Sequence, residues 1–575
     1  MKRNRVIICM LVLALGAAPA LWAESAATAL ETSAAPAAKT APPVTCRNGT
    51  FTGIVEPNGV YAYLGIPFAK PPVGGLRWKA PVDVEDCQGQ FKADHFGPQP
   101  LQIILASDEA PNDTPCSEDC LCLNVWTADP NIQGKPVMVY FHGGAYGWES
   151  TSDALYNLRN IARENPDIVF VSAEYRVNAM GFIDLSRVPD GQKYKAADFK
   201  GSTQLGILDN VAALRWVNRN IAAFGGDKDN VTIFGESAGG GISSILVIAK
   251  QARGLFRRAI PMSGTPSLTI TRKQFQDMDQ AGGLMEATGS KDMDDLMALS
   301  EQQILEAFLH PTNHVGMVGG NLVGFLNGMP MRGEGGLVPD EPLKAMEDGA
   351  GADIDMLIGT TADEWRYWIH LMMQPTHEGN IKAFAQLMEM SAPYFQGGSM
   401  SSREGAPIDI SKVLENIQAD EDEWSAKHPN LWKHTEINNE KTFRVPAINQ
   451  AEAHVKAGGK GKTYMYCFAK RSTKDPWLGA CHSVELPYVF LNPYAVTITG
   501  KVDMELAKKV SRIWTNFART GNPSIDGIAW PEYDLANRAT MVIGNDNSFK
   551  VVNDPKREQR EFVQEAMRKF QKEGK

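Results

Sequence analysis

The chain has 575 residues, 43% of them hydrophobic and 22% charged, an ordinary globular composition that excludes a fibrous or broadly disordered protein. A formal charge of −10, with 57 Lys and Arg residues scattered rather than massed, offers no basic surface to a polyanion, so nucleic acid is not an expected partner. Length alone suggests three or four domains, but large α/β enzymes spend such lengths on one sheet plus insertions, so motif spacing has to decide.

The first residues, Met1, Lys2, Arg3, Asn4 and Arg5, precede an apolar run at 6–15 and then small residues ending at Ala23. This is the three-part pattern of a secretory signal, 1–23, with cleavage near Ala23 and export to the periplasm or beyond. The run is short of the roughly 20 residues that span a bilayer, and no later segment is apolar enough to cross one. Cys9 lacks the small residues before it that a lipid anchor needs. Export implies an oxidising compartment, so Cys46, Cys87, Cys116, Cys120, Cys122, Cys467 and Cys481 read first as disulfide candidates. Their number is odd, which leaves at least one thiol free. Cys120 and Cys122 lie two apart on one predicted strand, about 6.5 to 7 Å from each other, which is marginal to excessive for a bridge, so they are not expected to pair with each other. No spacing resembles a zinc site, and neither a metal nor a cofactor is expected.

Residues 24–43 are rich in Ala, Ser, Thr and Pro and cannot bury enough surface to offset ordering entropy, so they read as a disordered linker. A single domain is expected over 44–575. It opens on two antiparallel strand patterns joined by a turn at Pro57–Gly59. Apolar runs at 123–126, 137–141, 168–173, 231–234, 259–263, 355–359 and 464–468 read as buried strands. Helix-patterned stretches separate several of them, most clearly 204–222, with Leu205, Leu208, Val211, Ala212 and Trp216 on one face. Alternation of this kind predicts a mostly parallel sheet covered by helices on both faces. The Met-rich stretch 273–309 and the Trp- and His-containing stretch 363–440 read as helical insertions over the catalytic edge. A charged surface helix is expected over 554–571.

The chemistry starts at Gly235-Glu236-Ser237-Ala238-Gly239, between the strand at 231–234 and a helix pattern from Gly240. This is the nucleophile-elbow arrangement, in which a sharp strand-to-helix turn exposes a serine. A serine hydroxyl near neutral pH needs a His to take its proton and an acid to orient that His. His482 lies in a loop beyond the strand at 464–468, where a loop at a parallel strand's carboxyl end can reach the site. The acid should fall between Ser and His in chain order, where Asp363 and Glu364 follow the strand at 355–359 and the residues alone do not choose between them. Phe141-His142-Gly143-Gly144-Ala145 follows the strand at 137–141, so the N–H groups of Gly143, Gly144 and Ala238 are the candidate oxyanion donors. His142 then reads as structural.

Several ordered motifs make the chain resemble the type-B carboxylesterase and cholinesterase family from about Val44 to at least Trp530. They are Tyr63-Leu64-Gly65-Ile66-Pro67-Phe68-Ala69-Lys70-Pro71-Pro72, Ser117-Glu118-Asp119-Cys120-Leu121-Cys122-Leu123-Asn124-Val125, Phe224-Gly225-Gly226-Asp227 and the elbow itself. The resemblance implies an α/β-hydrolase fold and a serine esterase acting on small carboxylic esters, with thioester or amide cleavage as variants and a non-catalytic adhesion module as the rival from another class. It carries the triad over as Ser237, Glu364 and His482, so that the resemblance, not the chemistry, selects Glu364. It also implies a structural salt bridge between Arg77 and Glu118 and an electrostatic role for Glu236. The chain departs from the family in having Cys122 where an aromatic is usual, and no cysteine after Phe96-Gly97-Pro98. The resulting disulfide expectations are Cys87 with Cys120, with Cys46 and Cys116 as rival partners, and Cys467 with Cys481. Specificity is expected in the insertions at 273–335 and 363–440, where Trp365, Trp368 and Met373 read as core packing before acyl-pocket lining.

Overall fold

The computed structural model describes residues 39–102, 114–308, 316–318, 321–323, 328–333, 337–367, 435–493 and 498–573. The expected signal, residues 24–38 of the expected linker, Trp368, Met373 and most of the 363–440 insertion lie outside the described residues. The frame is a large sheet containing β1 (Tyr61–Pro67), β2 (Cys122–Thr127), β3 (Lys135–Phe141), β4 (Val169–Ala173), β5 (Gly226–Glu236), β6 (Arg258–Met262), β7 (Asp355–Thr361), β8 (Thr463–Phe468), β9 (Ala539–Ile543) and β10 (Phe549–Asn553). Their order across it is β1-β2-β4-β3-β5-β6-β7-β8-β9-β10. Every neighbouring pair from β4 to β9 is parallel. At one end β1, β2 and β4 are joined antiparallel, and at the other β10 folds back on β9.

Strands in a parallel sheet are buried on both faces and so read as continuous apolar runs. Successive side chains point to opposite faces, and the two faces have different partners. Val137, Val139, Ile233 and Met465 pack with Val211 and Leu214 of α1 (Leu205–Asn220), Ile245 of α2 (Ala238–Ile248) and Ala451 of α3 (Val445–Lys456). Met138, Tyr140, Phe234, Leu357 and Tyr466 pack with Val510, Ile513, Trp514 and Phe517 of α4 (Met504–Thr520). The Asp503 side chain starts α4 by accepting hydrogen bonds from the N–H groups of Glu505 and Leu506 at 3.1 and 3.2 Å, which satisfies donors that a helix start leaves open.

Each predicted strand coincides with an observed one to within a few residues. The opening hairpin also forms, with Ile54 opposite Ala62 and Val55 opposite Tyr61. The stretch 273–309 is helical, as Arg272–Met278, Gln280–Thr288, Met293–Ala298 and Glu301–Phe308, and the last helix is Arg557–Glu573. The hairpin of β9 and β10 has no counterpart among the predicted elements.

The disulfide expectations are corrected: all seven described cysteines are free thiols. In β8, Tyr464, Tyr466 and Phe468 share the α4 face with Cys481, so by alternation Cys467 points to the opposite face, and the sheet separates it from Cys481. Cys120 is enclosed in the core on the α1 face, whereas the half-buried Cys87 donates its Sγ–H to the Asn48 carbonyl at 3.0 Å.

The salt bridge implied by resemblance is present and buried. Arg77 Nε donates to Glu118 Oε1 at 2.5 Å and Nη2 to Oε2 at 2.7 Å, while Nη1 donates to the carbonyls of Leu296 and Met297, each at 3.2 Å. One guanidinium thus ties the segment before β2 to the helical insertion. Glu118→Ala leaves that charge buried without its counter-ion and should lower stability in urea unfolding by about 3–5 kcal/mol. The double variant Arg77→Met with Glu118→Leu should recover much of the loss; an equal loss in both proteins would mean that the uncompensated charge is not the cause.

Candidate active site

β5 ends at Glu236 and α2 begins at Ala238, so Ser237 alone makes the turn, at φ 57 and ψ −119. A non-glycine residue reaches such a conformation only when its surroundings enforce it. Here Ser237 N–H donates to the Met262 carbonyl at the end of β6, and the Ser237 carbonyl accepts from Gly241 N–H, both at 2.9 Å. Gly239 must be glycine, because a Cβ there would lie 2.0 Å from the Phe141 carbonyl oxygen. The elbow is therefore wedged against the end of β3.

Beyond β3, Gly144 adopts φ 80, left-handed backbone that glycine takes without strain. A Cβ built on Gly143 would lie 3.3 Å from the carbonyl and Oε2 of Glu236, which sets that glycine beside the elbow. Ala238 opens α2, where first-turn N–H groups lack an intrahelical acceptor. Among the described residues none accepts a hydrogen bond from the N–H of Gly143, Gly144 or Ala238.

β7 leads into the Asp363-Glu364 pair, and the structure gives the two carboxyls different partners. Glu364 Oε2 accepts from His482 Nδ1 at 2.5 Å. Its other oxygen accepts from Ser263 Oγ at 2.6 Å and Thr361 N–H at 2.8 Å. A carboxylate can only accept, so Nδ1 carries a proton, and in the neutral imidazole Nε2 then keeps its lone pair. Asp363 instead faces the loop before His482: its N–H donates to the Ala480 carbonyl at 2.9 Å, and Oδ2 accepts from Ala480 N–H at 2.7 Å. Arg366 lies 3.5 Å from the other Asp363 oxygen.

His482 Nε2 lies 3.1 Å from Glu236 Oε1, the side chain next to Ser237 in the chain. Burial, strengthened by the Glu485, Glu364 and Glu149 carboxylates, holds the Glu236 carboxyl well above its ordinary range. Burial and Glu364 likewise push Glu485 up to about 8. Glu485 is therefore a neutral acid at mildly acidic pH.

Phe443 packs its ring 4.9 Å from that of His482. It sits in a one-turn π-helix, Asn439–Arg444, of the kind that often marks functional sites. Asn439 Oδ1 in the same turn accepts from Trp365 N–H at 2.7 Å. Trp365 itself is buried, its indole 3.4 Å from Thr442 Oγ1, in keeping with core packing. Among the described residues no group of His, Cys, Asp and Glu is arranged to hold a metal ion, and no helix is long and apolar enough to cross a membrane.

The Ser237, Glu364, His482 and glycine-loop positions thus converge at the carboxyl ends of β5, β7, β8 and β3. A family model described as "Carboxylesterase family" matches residues 40–563. The chain belongs to the carboxylesterase family. It is 32% identical to the para-nitrobenzyl esterase of Bacillus subtilis (strain 168) over 527 residues, 90% of this chain and 97% of that one. It is 31% identical to mouse (Mus musculus) carboxylesterase 1D over 84% of this chain and 85% of that one. Among solved structures, a PNB esterase overlays with a TM-score of 0.70 at 31% identity, covering 91% and 99% of the two chains. The carboxylesterase of Geobacillus stearothermophilus at pH 6.2 overlays with 0.73 at 29% identity, with the same coverage. The fold is that of an α/β-hydrolase, and the protein is a carboxylic ester hydrolase of the serine type. As a member of this family it takes small-molecule esters.

Sequence reasoning singled out Ser237, Glu364, His482, Glu236 and the glycines, and missed Ser263, Thr361, Glu149, Glu485 and Phe443. Glu485 stands three residues after His482, the only hint available; nothing in the sequence marks the others.

The raised Glu485 pKa has a signed consequence for stability. The unfolded chain ionises this group near an ordinary 4.5 but the folded one only near 8, so its contribution is fully present below 4.5 and is lost as pH rises through 8. Glu485→Gln, which cannot ionise, should therefore gain stability relative to the parent between pH 5 and 8.5 in urea melts. A difference that stays constant over that interval would remove Glu485 as the source.

Proposed function

We propose that the protein is an exported serine esterase that hydrolyses carboxylic esters through an acyl-enzyme, with Ser237 as nucleophile, His482 as general base and then acid, and Glu364 as the orienting carboxylate. The observation that carries this reading is the 2.5 Å Glu364–His482 hydrogen bond. It fixes the imidazole tautomer that leaves Nε2 free of a proton, on the side where Glu236 joins the elbow. Export is supported by the signal pattern at 1–23.

In this mechanism Ser237 Oγ attacks the ester carbonyl carbon as its proton passes to His482 Nε2. The imidazolium formed is stabilised by Glu364 across the Nδ1 bond, which keeps its orientation and charge balanced. The carbonyl oxygen becomes an oxyanion and accepts from the N–H groups of Gly143, Gly144 and Ala238, donors already aimed before the charge develops. Collapse expels the alcohol, which takes the proton from Nε2 and leaves an acyl group on Ser237. Water then repeats the sequence and frees the acid. Glu236 supports the site electrostatically from beside Nε2. The para-nitrobenzyl ester named for the Bacillus subtilis relative is a reasonable first substrate for this chain too.

An organophosphonate should label intact protein at Ser237, found by mass spectrometry of the modified peptide, and Ser237→Ala should lose hydrolysis by about 10⁴-fold or more. Full turnover in Ser237→Ala would overturn the reading.

The two adjacent acids give a sharper comparison. Glu364→Gln should cut kcat by about 10³- to 10⁴-fold, because the imidazole tautomer is no longer enforced. Asp363→Asn, which loosens the loop at Ala480, should act mainly on stability. The opposite ranking in kcat would reverse the assignment.

A further inference from the structure

Peptide units are planar and trans, so the N–H of one residue points opposite to the carbonyl of the residue before it. The candidate oxyanion donors Gly143 and Gly144 are therefore aimed by the carbonyls of His142 and Gly143. Both carbonyls accept from one group: the Tyr175 hydroxyl donates to His142 O and to Gly143 O, each at 3.0 Å. A single phenolic proton shared between two acceptors is a three-centre bond. We propose that Tyr175 is a positioning residue of the oxyanion hole, holding two consecutive carbonyls on its own side so that the N–H groups of Gly143 and Gly144 face the acyl oxygen. This inference rests on the Ser237 reading above and adds a residue to it.

The sheet explains why Tyr175 is where it is. β3 and β4 are parallel, with Phe141 opposite Ala173, so two residues past the end of each strand bring Gly143 and Tyr175 alongside. The Tyr175 ring stacks on His142 with centroids 4.2 Å apart and planes at 17°. His142 in turn has Nε2 3.4 Å from Glu174 Oε2, and Glu174 Oε1 accepts from Thr151 N–H at 2.7 Å and Thr151 Oγ1 at 2.6 Å. The phenol is thus held in place from its ring side and is wholly buried. Burial also keeps it protonated far above its ordinary range, so the donor is present at any working pH. Gly143 supplies no steric restraint of its own, since a residue without a Cβ rotates its peptide planes freely. Without the hydroxyl, a flip of either peptide would turn a carbonyl towards the oxyanion in place of a donor.

The test is Tyr175→Phe in the full-length enzyme, assayed on a para-nitrophenyl ester, with active sites counted by organophosphonate titration. Expected is a fall of about 10- to 100-fold in kcat per titrated site, somewhat less than deletion of a whole oxyanion donor, with KM changed less than about threefold. Affinity for a trifluoromethyl ketone, which adds to the serine as a tetrahedral oxyanion, should fall by the same factor as kcat/KM. A purely structural tyrosine would lower the titre and the melting temperature and leave those per-site quantities alone. Per-site kcat within twofold of the parent, with unchanged ketone affinity, overturns the proposal. If Tyr175→Phe does not fold, Tyr175→Leu fills the space with an apolar side chain that has no donor for the carbonyls, and carries the same expected and overturning results. Ser237→Ala is run in parallel. If it retains hydrolysis, the serine reading fails; if it is inactive while Tyr175→Phe is unimpaired, only the positioning role fails.

Discussion

Holding Ser237 at φ 57 and ψ −119 costs on the order of 1–3 kcal/mol, and the surrounding architecture is arranged around that single strained residue. The strain is tolerable because β5 lies in the interior of the sheet, with β3 and β6 parallel on either side. Each neighbour helps: the end of β6 receives the Ser237 N–H, and the end of β3 closes on Gly239. An edge strand would have one such wall, not two. Once the elbow is fixed at the carboxyl edge, the loops after β3, β7 and β8 reach it simply by continuing their strands.

The second constraint is electrostatic. Glu236, Glu364 and Glu485 are buried together with the His482 imidazole, Glu236 feels the carboxylates of Glu485, Glu364 and the half-buried Glu149, and three buried negative charges in such a space would be prohibitive. The site resolves this by treating the carboxyls unequally. Glu364 has three hydrogen bonds on its two oxygens, from His482, Ser263 and Thr361. Glu236 and Glu485 have burial without comparable compensation, which raises both carboxyls. Hydrogen-bond supply, more than distance from His482, distinguishes Glu364 from its neighbours.

Much of the frame was legible because parallel strands advertise themselves: Val137–Phe141 and its neighbours have no polar face to interrupt the apolar run. The β9–β10 hairpin escaped for the converse reason, since Phe549–Asn553 is an edge strand with an exposed, mixed sequence. The candidate triad was legible through motif order, yet Asp363 and Glu364 could not be told apart from chemistry, because adjacent residues differ only in which way the backbone presents them. The disulfides failed at the same level. Whether Cys467 faces Cys481 depends on strand parity, and parity is known only once the whole sheet is in register.

Asp363 does not face His482, but its two hydrogen bonds with Ala480, one through its main chain and one through its carboxylate, have a mechanical meaning. They join the loop bearing Glu364 to the loop bearing His482 across more than 110 residues of chain, beside the Glu364–His482 hydrogen bond itself. Whatever is inserted between those loops can lengthen, shrink or change composition without loosening the proton-transfer geometry. In such an enzyme, substrate preference and chemical competence can drift separately over evolutionary time.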